Sequence, residues 1–441
     1  MTFDALTLAQ IQALHDEQSA AYEVLQNAGL ALDLTRGKPS PAQLDLSMGL
    51  LDLPGAGHYM DAAGADLRNY GGLQGLPELR AIFADLLGVS VDQLVAGNNA
   101  SLQLLHDTLA YCLLFGTTDS ELPWGKEDKI KFLCPVPGYD RHFALCEAFG
   151  IEMISVPTTE DGPEIAAVTR LVADDPQIKG MWVVPTYANP SGVVCSQEVA
   201  AALTSMPTAA PDFRIFWDNA YAVHHLTETE TKSADALSLA YAGQHPDRVF
   251  LFASTSKVTF AGAGVSFFAS SPANVAWYLE HLSKASIGPD KLNQLRHAMF
   301  LRDARGVRAL MAKHREIIAP KFQLVVSILS ERLGGLGVAK WNEPNGGYFV
   351  NLDVVDGTAS RVVELAKAAG IALTPAGASY PYGKDPADRN IRIAPTFPTL
   401  EDVALAIDGL ATCVLLAATE KSLAGVSGHS PSARPALTNG K

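Results

Sequence analysis

Lys257 stands where an apolar strand should end. It closes Leu251-Phe252-Ala253-Ser254-Thr255-Ser256-Lys257 and precedes the small-residue stretch Val258-Thr259-Phe260-Ala261-Gly262-Ala263-Gly264. A lysine held there, partly out of water, loses proton affinity and becomes a nucleophilic amine able to condense with a carbonyl. The competing reading is an ordinary solvated lysine, because lysines are mostly exposed. Three other stretches bear on that choice. Asn189 lies in Val183-Val184-Pro185-Thr186-Tyr187-Ala188-Asn189-Pro190-Ser191-Gly192. Asp218 and Tyr221 lie in Ile215-Phe216-Trp217-Asp218-Asn219-Ala220-Tyr221, and Arg392 in Asn390-Ile391-Arg392-Ile393-Ala394. Taken alone, Asp218 and Asn189 read as turn residues and Tyr221 as a core tyrosine. Arg392 interrupts an apolar run, where an unpaired guanidinium is costly. It is either a two-pronged carboxylate ligand or half of a structural ion pair.

These residues are far apart in the chain, so a fold must gather them. Apolar runs at 130–134, 151–155, 181–185, 213–217, 248–252 and 265–269 are bounded by turns and separated by helix-length segments. That pattern predicts a mostly parallel sheet covered on both faces, an α/β architecture. Ligands bind at the carboxyl ends of such strands. Asn189, Asp218 and Lys257 all fall just beyond such runs. Helices are predicted over 5–28, 76–88, 101–115, 305–333 and 400–422 from spacing and stop signals. Strands at 347–352 and 390–394 belong to a smaller α+β unit. Gly97-Asn98-Asn99-Ala100-Ser101 enters the third of these helices, and a helix N-terminus with a serine hydroxyl is an anion cradle, or simply a cap.

Composition limits the alternatives. The chain has 441 residues, 48% hydrophobic and 18% charged, with a net charge of −14. That suits two globular domains and argues against nucleic acid or an anionic membrane as a partner. Cys112, Cys134, Cys146, Cys195 and Cys413 are odd in number and lack metal spacing, so reduced thiols are expected. His224 and His225 flank the Tyr221 turn without ligand spacing, and no metal is expected. The N-terminus lacks a basic region followed by an apolar run. No uninterrupted apolar stretch approaches the ~20 residues of a membrane helix. A cytoplasmic location is expected.

The order Asn-Pro-x-Gly, strand then Asp-x-x-Tyr, Ser-x-x-Lys and a late Ile-Arg-Ile resembles the fold type I pyridoxal-phosphate (PLP) aminotransferases over about residues 30 to 420. The wording Thr35-Arg36-Gly37-Lys38-Pro39 and Thr255 to Gly264 is most similar to a divergent aspartate aminotransferase subgroup related to the C-terminal domains of MocR-type regulators. The resemblance implies that residues 1–45 join the small domain, 46–310 form the large PLP-binding domain and 311–422 the small one. Residues 423–441, rich in Ser, Gly, Pro and Ala, read as a disordered tail.

It also implies roles. Lys257 takes the cofactor aldehyde and moves the substrate proton. Asp218, 39 positions earlier, keeps the pyridine nitrogen protonated. Asn189 and Tyr221 flank the phenolic oxygen, and Tyr139 stacks on the ring or is only a core aromatic. Asn99, Ala100, Ser101, Ser254 and Ser256 hold the phosphate. Relatives carry an arginine about eight residues after the lysine, where this chain has Gly264-Val265-Ser266, so hydroxyls including Ser266 are the expected replacement. Tyr70 reaches the phosphate of a neighbouring subunit in a homodimer, unless its glycines mark only a loop. Arg392 and Gly37 hold the substrate α-carboxylate, near Asn189. Arg36 is the first choice for a distal carboxylate, with Lys38, Lys284 and Arg296 as alternatives, and it reads equally as a surface charge.

The expected reaction is ping-pong amino transfer between an amino acid and a 2-oxo acid, aspartate and 2-oxoglutarate first. A PLP lyase or an aminotransferase for other amino acids shares the same residues. A PLP-binding regulatory module needs a DNA-binding domain, for which the residues before Thr35 are too few.

Overall fold

The computed structural model describes residues 2–427. Helix Leu8–Asn27 opens on a reciprocal cap: Gln10 N–H donates to Thr7 Oγ1 at 3.3 Å, and Thr7 N–H donates to Gln10 Oε1 at 2.8 Å. The chain then forms the short strand β1 (Leu32–Asp33) and enters an eight-stranded sheet. Its members are β2 (Leu94–Ala96), β3 (Lys131–Val136), β4 (Glu152–Thr159), β5 (Gly162–Pro163), β6 (Ile178–Val183), β7 (Arg214–Asp218), β8 (Val249–Ser254) and β9 (Ser266–Ala269). Their order is β2-β9-β8-β7-β6-β3-β4-β5. β8, β7, β6, β3 and β4 pair in parallel. β9 is antiparallel to both β8 and β2, so β2 runs with the parallel set.

The sheet is apolar on both faces because neighbouring residues point opposite ways and both are buried. In β7, Ile215 and Trp217 enter one core and Phe216 the other; in β8, Leu251 and Ala253 oppose Phe250 and Phe252. The second face is aromatic. Phe132, Phe216 and Phe250 pack in succession with ring centroids 5.5 Å apart at each step. Such strands read as continuous apolar runs, which is why the sequence located six of them. β2, β5 and the strands of two or three residues carry too little pattern to be seen.

Helix Ala304–Leu333 leads to a smaller unit with β10 (Ala339–Trp341), β11 (Val350–Val354), β12 (Ile371–Ala372) and β13 (Asn390–Ile393). β10-β11-β13 form an antiparallel sheet in which Asn351 faces Arg392. β12 pairs in parallel with β1, Leu32 opposite Ile371, which ties the N-terminal segment to this unit. The last helix, Leu400–Ser427, runs past residue 422 and takes in the first five residues of the segment read as a tail; residues 428–441 lie outside the described residues. Leucine and alanine at 423 and 424 favour helix, whatever the composition beyond them.

By length and composition this helix could cross a membrane over Leu400–Gly425, but 78% of its apolar window is buried inside the fold. It packs between helices Leu8–Asn27 and Ala304–Leu333, sharing a core with Tyr22, Phe322 and Val325. The search for an uninterrupted apolar run passes over it because Asp408 breaks the run.

The two units meet at Gly346 and Gly347. A Cβ at Gly346 would press into the Tyr187 ring, and Gly347 has φ +82°. Tyr187 is buried and bonded to His225 Nδ1 at 2.8 Å, so it cannot easily retreat. Gly346→Ala is expected to destabilise the protein by ~1–3 kcal/mol through overpacking. A lower denaturant midpoint at unchanged slope would report it. An unchanged midpoint would show that Tyr187 yields.

Candidate active site

Five segments at the carboxyl ends of the large sheet's strands converge with one strand of the smaller sheet. β2 is followed by Gly97–Ala100 and helix Ser101–Phe115, β3 by Tyr139, and β6 by Asn189. β7 ends on Asp218, and β8 ends on Ser254, three residues before Lys257. The sixth contribution is Arg392, from β13 of the smaller sheet. Because β2, β3, β6, β7 and β8 run the same way, their ends share one edge. A small cavity of about 40 Å³ opens there, lined by Ser101, Tyr139, Asn189, Asp218, Tyr221 and Lys257.

Asp218 is 3% exposed. Its Oδ2 lies 3.0 Å from His142 Nε2, whereas its Oδ1 is buried with no partner. A carboxylate oxygen only accepts, so Nε2 is the protonated nitrogen of His142. His142 stacks on Trp182, with centroids 4.4 Å apart and planes 9° apart, which fixes its tilt. An orphaned buried carboxylate oxygen is costly unless a donor is meant to reach it. A protonated pyridine nitrogen is such a donor.

Lys257 Nζ sits 5.0 Å from the Tyr221 ring centroid and 5.9 Å from that of Tyr348. Burial lowers its affinity for a proton, and Asp218 opposes this in part. Burial pushes the Tyr221 hydroxyl well up, with Tyr139 and Asp218 acting in the same direction, and pushes Tyr139 up to about 12. Tyr221 is therefore a hydroxyl donor, suited to a phenolate oxygen. Tyr139 stands edge-on to His142 with centroids 5.0 Å apart.

A chain of buried groups fixes the backbone at Lys257. His314 Nε2 lies 3.1 Å from the Val258 carbonyl, which makes that nitrogen the donor and Nδ1 an acceptor for Gln43 Nε2 at 3.1 Å. Gln43 also donates to Tyr348 Oη at 2.9 Å, and the Tyr348 hydroxyl donates to the Lys257 carbonyl at 3.5 Å.

At the other end, Ala100 caps helix Ser101–Phe115 without a side-chain bond; the Gln103 N–H donates to the Ala100 carbonyl at 3.1 Å, which leaves the Ser101 and Leu102 N–H groups and the Ser101 hydroxyl for an anion. Asn99 Oδ1 accepts the Gly264 N–H at 2.9 Å, so this side chain holds the glycine loop. Ser254 donates to Ser256 Oγ at 3.1 Å. Ser266 is buried and donates to the Asn98 carbonyl at 2.9 Å, so its hydroxyl is occupied and does not replace the missing arginine.

Arg392 is buried against the Phe349 ring, 5.1 Å from the centroid. It donates to Asp140 Oδ1 at 2.8 Å, Thr374 Oγ1 at 3.2 Å and Asn189 Oδ1 at 3.4 Å, and its Nε is buried without a partner. Gly37 lies against the same ring: a Cβ there would come within 2.6 Å of Phe349 Cζ.

The distal candidates are scattered. Arg36 is exposed on the loop beside Gly37. Lys38 lies 3.9 Å over the Phe397 ring. Lys284 donates to Glu280 O of its own helix at 3.1 Å, and Arg296 to Asn293 Oδ1 at 2.7 Å. None of the four lines the cavity. Nor does Tyr70, which is 80% exposed on a loop held by Lys291 Nζ at 3.3 Å from its carbonyl.

Sequence reasoning missed Asp140 and His142, and Gln43, His314 and Tyr348. Tyr139 and His142 are three apart at the start of a helix, which places them on one face; that spacing was the available signal. The other three meet only through tertiary packing.

The chain matches the family model described as aspartate amino-transferase over residues 6–426. It is 54% identical over 418 residues to an aspartate aminotransferase of Corynebacterium glutamicum, covering 95% of this chain and 96% of that one. A crystal structure of an aspartate transaminase from the same organism superposes with a TM-score of 0.94, at 52% identity over 96% of this chain and 99% of that one. The α-aminoadipate aminotransferase LysN of Thermus thermophilus, solved with a phosphopyridoxyl-leucine ligand, shares the fold at a TM-score of 0.72 and 19% identity, over 90% of this chain and 93% of that one. With the cavity at the strand ends, lined by both Lys257 and an Asp218 whose one oxygen is buried and unpaired, these likenesses place the chain in the aspartate aminotransferase family.

Proposed function

We propose that the chain is a PLP-dependent aspartate:2-oxoglutarate aminotransferase that works as a cytoplasmic homodimer. The observation that carries this reading is the pairing, in one cavity, of an orphaned buried Asp218 oxygen with a Lys257 amine whose proton affinity burial lowers. PLP, when bound, supplies an electron sink for bond breaking at the substrate α-carbon. Lys257 anchors its aldehyde and then carries the α-proton. Asp218, oriented by His142, accepts from the pyridine nitrogen. Tyr221 and Asn189 donate to the phenolic oxygen, and Tyr139 covers the ring. The uncapped helix start at Ser101, with Ser254 and Ser256, receives the phosphate. Five buried, unpaired cysteines suit a reducing compartment. The exposed Tyr70, beside exposed Met48, Leu51 and Met60 on the same stretch of chain, suits a surface covered by a second subunit.

The α-carboxylate belongs on Arg392 beside Gly37, and the distal carboxylate on Arg36, which has to swing in from the exposed loop next to Gly37 because it does not line the cavity. Arg392→Ala is then expected to impair every amino acid. Arg36→Ala is expected to impair aspartate and glutamate selectively, by roughly 10- to 150-fold in kcat/KM, while sparing alanine. Equal losses for acidic and neutral substrates would remove Arg36 as selector. The activity itself is tested by following products from aspartate and 2-oxoglutarate. Oxaloacetate and glutamate in equal amounts support transamination, and alanine with carbon dioxide, formed without glutamate, would replace it with a β-decarboxylating lyase.

A further inference from the structure

Arg392 already has a carboxylate on it. Asp140 Oδ1 lies 2.8 Å from Arg392 Nη1, and the two come from different units: Asp140 begins the helix after β3 of the large sheet, and Arg392 stands on β13 of the smaller one. The pair is lopsided. The Arg392 side chain is 7% exposed and hemmed in by Thr374, Asn189 and the Phe349 ring, whereas that of Asp140 is 33% exposed. Arg392 cannot leave, but Asp140 can turn to water. As the first residue of helix Asp140–Ala148, it keeps the favourable field of the helix N-terminus after turning. The contact is also single-pronged, with one oxygen on one nitrogen, and it leaves Nε buried without a partner. An incoming carboxylate with two oxygens to offer satisfies the guanidinium better.

We propose that Asp140 is the resident counter-ion of the substrate-carboxylate site: it neutralises Arg392 while the site is empty and is displaced by the α-carboxylate of the amino or 2-oxo acid. This rests on the assignment of Arg392 as the α-carboxylate ligand. A buried guanidinium with no anion is unstable, so an empty site needs such a stand-in. The consequence is that substrate affinity is a difference between two ion pairs, and Asp140 sets its ceiling. Asp140 acts equally on every substrate, because all share the α-carboxylate. It therefore differs from a selector such as Arg36.

The test uses the PLP-loaded protein and propionate, a carboxylate with neither amine nor second charge. Its dissociation constant is read from tryptophan fluorescence in the wild type, Asp140→Asn, Asp140→Ser and Arg392→Ala. Removing the resident charge is expected to tighten propionate binding about tenfold or more in both Asp140 variants, and Arg392→Ala is expected to abolish it. A purely structural salt bridge gives the opposite sign, with weaker binding and a lower melting temperature in both Asp140 variants, and that result overturns the proposal. Unchanged affinity in both Asp140 variants, with binding still lost in Arg392→Ala, also overturns it while leaving the Arg392 assignment intact. Propionate binding that survives in Arg392→Ala overturns the assignment, and the proposal with it.

Discussion

Lys257→Ala is expected to abolish covalent attachment of PLP to the chain, and with it the visible absorption of the loaded protein. It should slow transamination by at least about 10⁴-fold, the upper range for removing one acid–base group, with loss of the nucleophile added. The fold should survive, because Lys257 makes no ion pair among the described residues and its backbone is held by His314, Gln43 and Tyr348. A borohydride-reducible PLP adduct persisting in this variant would show that another lysine is the anchor.

A pH profile sharpens the same test. Burial favours the neutral amine, so the folded-state pKa lies below the ordinary 10.5. Below that pKa the amine is protonated and cannot attack a carbonyl; above it the amine is free. PLP capture by the cofactor-free protein is therefore expected to rise with pH, with its midpoint below 10.5. A rise centred at 10.5 or above would mean that Lys257 is solvated.

The legible part of this molecule was set by burial and order along the chain. β7 and β8 are apolar at every position facing both cores, so their ends, and with them Asp218 and Lys257, could be located without coordinates. Arg392 announced itself because a guanidinium inside Ile-Arg-Ile must have a partner, but the sequence could not say that Asp140 holds it from 252 residues away. Ser266 shows the reverse error. A hydroxyl near the glycine loop reads as a phosphate donor, yet its one proton goes to the Asn98 carbonyl, a commitment that only the antiparallel pairing of β9 with β2 creates. The distal cation stayed illegible for a related reason. Arg36, Lys38, Lys284 and Arg296 are equivalent as residue types, and what separates them is placement. None of the four lines the cavity.

Asp218→Asn is the second large effect expected, and it bears on the electronic half of the site. The amide keeps the shape and can still accept from a ring nitrogen, but it carries no charge to hold that nitrogen protonated. The half-reaction with aspartate is expected to slow by about two to three orders of magnitude, each tenfold worth about 1.4 kcal/mol of barrier. PLP occupancy should stay high, because Lys257 and the helix start at Ser101 are untouched. His142 gives an internal comparison. It donates to the far oxygen of Asp218 at 3.0 Å and touches the ring nitrogen's partner rather than the ring. His142→Ala should therefore cost less, roughly 10- to 100-fold, as expected of a group that orients another. Single-turnover rates at full cofactor occupancy decide the matter. Near wild-type rates in Asp218→Asn would detach Asp218 from the chemistry. A larger loss in His142→Ala than in Asp218→Asn would mean that the histidine, and not the carboxylate, is the group the cofactor senses.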